Sequence, residues 1–288
     1  MKKPYLPVWA LILGVIFLGI ACKKDNKDEA LESVTVSLLN TGFHEAFVRY
    51  SSDTTAYNVT VKMEGEAWVI PNKVVSVQLD PSLLSAYNTA SSTHFELLPD
   101  SVYTLAKATD TILTGFGQAQ LPVYLVTKKI NPYTKYVLPL KMQAADLNVD
   151  ASANTVLLRI LLANDYTGIF TDTISSAAVP PTYPNPPALN FTDSIVRKTL
   201  TALNDSTVIM DIFLPTLVPA NQYLVMRIDT ATTNVGLSVY DVPASEMLQF
   251  TTANAGLQPY YRKADKYFYV PYNYFNTDFR IKERLKRQ

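Results

Sequence analysis

Two histidines, one cysteine and 25 acidic residues are the chain's whole stock of groups for nucleophilic, acid–base or metal chemistry. His44 and His94 are the only imidazoles, so a Ser–His–Asp or Cys–His arrangement would have to use one of them. No Gly-x-Ser-x-Gly elbow surrounds a serine. No His-x-x-x-His, Asp-x-Asp-x-Asp-Gly or paired-cysteine spacing offers a metal site. Glycoside hydrolysis needs only two carboxyl groups about 5–10 Å apart. The acids are numerous enough for that, yet none stands in a recognisable hydrolase context. The expectation is a chain with no catalytic residue, no metal ligand and no cofactor.

The cysteine has a different chemistry. Lys2 and Lys3 form a basic start, Pro4 to Ala21 carries no charge, and Gly19-Ile20-Ala21 leads directly into Cys22. A basic region, an apolar region and a small residue before the cut describe a secretory signal. A thiol at the new N-terminus can take a diacylglycerol thioether and then an N-acyl group. Several chains anchor stably where a single one does not. The competing reading is a transmembrane helix, for which Pro4 to Ala21 is near the lower limit of about 17–25 residues. Residues 1–21 are thus expected to be a lipoprotein signal peptide, with Cys22 the lipid attachment site. The polar run at 22–32 then reads as a solvated tether. With one cysteine, no disulfide can close within the chain and no thiolate cluster can hold a metal. Acidic and basic residues balance at 25 each, which gives no footprint for nucleic acid. The five basic residues after Phe279 read as a solvated strand face.

Binding chemistry has more to work with, because the chain holds 18 tyrosines. A tyrosine joins an apolar ring to a polar tip, which suits stacking on the C–H face of a sugar while the hydroxyls are hydrogen-bonded. The C-terminal segment concentrates such residues: Tyr260, Tyr261, Tyr267, Tyr269, Tyr272 and Tyr274. A turn at Lys263-Ala264-Asp265 would fold it into a hairpin. On its second strand Tyr267 and Tyr269 share one face, and Phe268, Val270, Tyr272 and Tyr274 share the other. One face is core, and the other is either covered by a neighbour or offered to a ligand. Trp68 and Tyr183 are further candidate contacts. Trp68 has a competing reading as a core residue.

The elements that must position these side chains are strands. Tyr57 to Met63 and Val75 to Leu79 alternate apolar and polar residues with period 2. Thr155 to Ala163, Thr207 to Leu214, Gln222 to Ile228, Val235 to Tyr240 and Lys266 to Phe275 are rich in β-branched and aromatic residues. Turn residues separate them at short intervals, as in an all-β sandwich or barrel. One helix is expected after Asp80, which could cap it. Pro81 suits its first position and Leu83-Leu84 would face inward. The proline-rich stretch at 178–189 cannot join a central ladder and is expected as a surface loop.

Ala56 to Met142 resembles the domain of unknown function near the N-terminus of many Bacteroidetes polysaccharide-utilisation lipoproteins. The matching strings run in order from Val75-Ser76-Val77-Gln78-Leu79-Asp80 through Leu83 to Asn88, Phe95 to Pro99 and Ser101 to Tyr103. They end in Tyr136-Val137-Leu138-Pro139-Leu140-Lys141. The resemblance implies an immunoglobulin-like sandwich closed by Asn154 to Leu158. The second half resembles the companion C-terminal domain through Asn164 to Phe170, Tyr267 to Tyr274 and Phe279 to Glu283. The Tyr166-x-Gly168-x-Phe170 opening is similar to the first strand of calycin-like barrels. The expected organisation is therefore all-β, with a sandwich over 33–163 and an antiparallel barrel or sandwich over 164–288. Such proteins are commonly encoded beside glycan importers and glycoside hydrolases, and the charged run after Cys22 resembles the segments that direct Bacteroidetes lipoproteins to the cell surface, which implies an outer-membrane location facing the exterior. Three roles compete. They are glycan capture, docking of an outer-membrane protein partner, and a hydrolase accessory with a site of its own.

Overall fold

The computed structural model describes residues 34–65, 72–105, 109–113, 117–145, 147–178, 194–212, 223–240, 257–274 and 279–288. Among the described residues the fold is all-β with one α-helix. Two sheets built from the first eleven strands face each other. The first has the order β10 (Asn148–Val149), β1 (Thr35–Leu38), β3 (Thr55–Glu64), β8 (Gln118–Leu125) and β6 (Tyr103–Thr104). The second has the order β2 (Gly42–Arg49), β11 (Thr155–Ala163), β9 (Tyr136–Ala144), β4 (Lys73–Leu79) and β7 (Thr109–Ile112), with β5 (Glu96–Leu97) paired to β9. Alternate residues from both close one apolar core: Val59, Val61, Leu121 and Val123 from one sheet, Leu138, Leu140, Leu158 and Ile160 from the other. This is the sandwich implied by the family resemblance.

Helix α1 (Pro81–Ser91) explains why the outer face of the second sheet is also apolar. Asp80 caps it, its side chain accepting from Ser82 N at 3.2 Å, and Pro81 occupies the first turn. Both β4 and β5 pair with the same edge of β9, so the helix leaves that edge and the chain returns to it. It lays Leu84 over Val137 and Leu157, which face away from the main core and are still buried. Phe43, Tyr87 and Phe95 complete this small cluster, with the Phe43 and Tyr87 rings stacked at 5.1 Å.

The remaining strands form one eight-stranded antiparallel sheet. They are β12 (Gly168–Ala178), β13 (Ser194–Ala202), β14 (Thr207–Asp211), β15 (Tyr223–Ile228), β16 (Val235–Tyr240), β17 (Tyr260–Arg262), β18 (Tyr267–Tyr274) and β19 (Phe279–Arg287). Their order is β16-β15-β14-β13-β12-β19-β18-β17, so every pairing joins sequence neighbours except β12 with β19. The two ends meet at an Asn234–Tyr260 bridge, where Tyr261 N also donates to Thr233 O at 2.9 Å. Of the two expected forms, the structure takes the up-and-down barrel, closed almost fully on itself. Phe170, Leu200, Met210, Met226, Phe268 and Leu285 point inward and fill it. Gly168 opens β12 at φ 141°, and a Cβ there would stand 2.9 Å from the Arg287 Nε. The Arg287 side chain could move aside, but the positive φ is a backbone conformation that glycine adopts readily and other residues do not.

Sandwich and barrel touch along the outer faces of β11 and β13–β14. Leu161 and Ile209 belong to neither core and yet are 4% and 2% exposed. The connection is tied down by the Asn164 side chain, which donates to Asn204 O at 2.7 Å.

Candidate functional site

The C-terminal hairpin forms as its alternation demands. β17 and β18 pair Tyr260 with Tyr269 and Tyr261 with Phe268, across a four-residue turn in which Lys266 adopts φ 49°. Tyr260, Tyr267 and Tyr269 lie together on the outer barrel face. The Tyr260 ring sits 6.2 Å from Tyr267 and 5.4 Å from Tyr269. Tyr260 is 38% exposed, and the other two are half-buried. The Arg262 guanidinium lies 4.7 Å from the Tyr267 ring centroid and is held by two hydrogen bonds to Asp265, at 2.7 and 2.6 Å. Burial pushes the Tyr267 and Tyr269 hydroxyls above their ordinary pKa, so both are neutral donors at physiological pH. The result is an aromatic shelf with hydroxyl and guanidinium groups at its margin.

Tyr261 and Tyr272 are not part of this shelf. They share the inward face with Phe268 and Val270 and are 4% and 3% exposed, which makes them core residues rather than ligand contacts. Tyr274 is the last residue of β18, and its side chain lies outside what the structure describes. Trp68, Tyr183 and Cys22 lie outside the described residues. His44 is half-buried on β2 and His94 is exposed just before β5. Among the described residues no three histidine, cysteine or acidic side chains gather to hold a metal ion.

The barrel interior holds a cluster that sequence reasoning missed. Lys198 donates to Glu283 at 2.5 Å and stands 3.5 Å from Asp172, while the Tyr272 hydroxyl donates to the other Glu283 oxygen at 2.5 Å. Asp172 Oδ1 accepts from Arg284 N at 3.1 Å. Asp172 and Glu283 are fully buried. One lysine faces two carboxyl groups, so the cluster is electrically balanced when one of them keeps its proton. Burial, reinforced by the nearby Glu283 charge and opposed by Lys198, pushes Asp172 up to about 8. Asp172 is the group that keeps it.

A cleft of about 250 Å³ opens where sandwich and barrel meet, beside the covered Leu161 and Ile209. The sandwich contributes Arg159 and the loop before β9, and the barrel contributes Arg197, Thr199, Thr201, Asp211 and Tyr223. Glu45 joins the two halves, accepting from Arg159 at 2.7 Å and standing 3.5 Å from Arg197. At one rim Tyr223 donates its hydroxyl to Tyr133 O at 3.0 Å, and Tyr133 stacks on Tyr240 at 3.5 Å. No sequence motif marks this cleft, since its residues come from separate elements.

A family model described as "-like, N-terminal domain" matches residues 32–149. No curated protein matches the chain. Among solved structures, the chain is similar to a multidomain protein including DUF1735 from Bacteroides ovatus. That likeness has a TM-score of 0.55 at 13% identity and covers 88% of this chain and 92% of that one. An auxiliary nutrient binding protein from Bacteroides thetaiotaomicron aligns with a TM-score of 0.56 at 16% identity, over 85% of this chain and 90% of that one. A Bacteroides ovatus protein of unknown function aligns with a TM-score of 0.52 at 17% identity, over 90% and 91%. The chain shares the fold of these Bacteroides proteins. The likeness runs through both sandwich and barrel, because it covers most of each chain.

Proposed function

We propose that this is a non-catalytic carbohydrate-binding lipoprotein, held at the outer membrane by a lipid on Cys22 and facing outward to capture saccharide for uptake. The observation that carries the binding role is the shelf of Tyr260, Tyr267 and Tyr269, three rings on one outer barrel face with Arg262 fixed at its edge. Flat rings with polar tips supply what a pyranose needs, an apolar surface for its C–H face and donors for its hydroxyls. The fold shared with an auxiliary nutrient binding protein supports the reading. In it residues 1–21 are removed, 22–32 form the tether, and 33–163 and 164–288 are the two folded units.

Affinity electrophoresis of the Lys24–Gln288 fragment against plant, host and microbial polysaccharides tests the binding role. Retardation by one glycan class is expected. Tyr260→Ala should abolish it and leave the melting temperature unchanged, since that ring is exposed. No retardation across a broad panel would remove the reading in favour of protein docking. The anchor is tested separately. Cys22→Ala should move the full chain from the membrane to the soluble fraction, and a variant that stays with membranes after a high-salt wash would refute lipidation at that residue.

A further inference from the structure

We propose that the cleft between sandwich and barrel is a second saccharide site, selective for a sugar unit that carries a carboxylate. The inference deepens the carbohydrate reading and rests on it, but it uses the other side of the molecule. In the circular strand order β17 lies four strands from β13 in either direction, so the tyrosine shelf and the cleft are on opposite sides of the barrel.

Three features of the cleft select the ligand. The first is charge. Lys135, Arg159 and Arg197 face two carboxylates, Glu45 and Asp211, which leaves one positive charge in excess. Lys198 does not count, because its ammonium turns into the barrel toward Glu283. An arginine pair with one charge in excess suits a monoanionic carboxylate, whose two oxygens match the guanidinium fork. The second is an unmet donor. Arg159 Nε is buried without a hydrogen-bond partner, although the same guanidinium reaches Glu45 through Nη1. A buried donor left unmade costs about 1–3 kcal/mol; Arg159 lines the cleft, and its guanidinium also lies 5.7 Å from the Phe95 ring centroid. Arg197 is 58% exposed and stands 3.5 Å from the same Glu45.

The third feature is the rim. Tyr240 is 42% exposed and stacks face to face on Tyr133, whose neighbours Pro132 and Thr134 line the cleft. This sets an aromatic pair next in sequence to cleft-lining residues, and aromatic rings offer a pyranose an apolar face. Thr199 and Thr201 add hydroxyls from β13. The volume, about 250 Å³, is below the range of about 300–1,000 Å³ for drug-sized ligands. It suits one sugar unit of a chain that continues outside.

The test is calorimetry on the full chain in detergent, with a trigalacturonate and its methyl ester as probes. The two have the same rings and differ in charge. Both are titrated into the Tyr260→Ala variant, so that the shelf contributes nothing and its failure cannot be mistaken for that of the cleft. The acid should bind at least tenfold more tightly than the ester. Adding Arg197→Gln or Lys135→Gln should erase that difference, and the melting temperature should hold because both side chains are more than a third exposed. Equal affinity for acid and ester, absence of binding by either, or an acid preference that survives both substitutions would overturn the proposal.

Discussion

Asp172 is the residue whose environment departs furthest from its chemistry. A carboxyl group on a strand is ordinarily solvated and ionised, whereas this one is sealed inside a barrel beside a second carboxylate. Its acid form is favoured by folding, and the sign of the pH effect follows. A raised acid pKa contributes stability that is complete below the unfolded value, near 4, and is lost as pH rises through about 8. The wild-type chain should therefore melt at a lower temperature at pH 9 than at pH 6. Asp172→Asn keeps the shape and removes the titration, so the drop between those two pH values should shrink measurably in calorimetric scans. An unchanged drop would show that Asp172 does not hold the proton. Beside it, Glu283 accepts from Lys198 and from the Tyr272 hydroxyl.

At the scale of elements, the sequence was legible wherever a local rule governs the outcome. Thr155–Ala163 is a strand over the expected span, and the Asp80-Pro81 signal starts a helix whose Leu84 is buried. Alternation in Tyr267 to Tyr274 separated the two hairpin faces, because period 2 is a property of the single strand. The choice between them was not local. Tyr261 and Tyr272 face inward because Phe170 and Phe268 occupy the barrel on that side, a fact set by pairing with distant strands. The charged interior was hidden for the same reason. Glu283 stands among five basic residues that read as a solvated strand face, and Lys198 follows Arg197 with nothing beside it to mark it as buried. Three strands had to come into register before Asp172, Lys198 and Glu283 met. The cleft was still less accessible, since its arginines are on β11 and β13 and its tyrosines in three other places along the chain.

At the scale of the whole molecule, the contact between sandwich and barrel decides whether the cleft exists at all. The ion pair of Arg49 with Asp165 spans the junction at 2.6 Å, but its side chains are 60% and 75% exposed. Such surface pairs contribute about 0–1 kcal/mol. The substantial part is apolar. Ile209 turns away from the barrel core and is still buried, and it lines the same cleft between the halves as Leu161. Ile209→Asp would set an unpaired carboxylate in that seam and leave both cores untouched. An uncompensated buried charge costs several kcal/mol, enough to part the two halves while each keeps its own packing. Calorimetry should then resolve two transitions in the variant where the wild type gives one, and the carboxylate-sugar preference of the cleft should vanish while the tyrosine shelf on the far side continues to bind. A single transition at the wild-type temperature would mean that the seam tolerates the charge, and that burial of Ile209 is not what holds sandwich and barrel together.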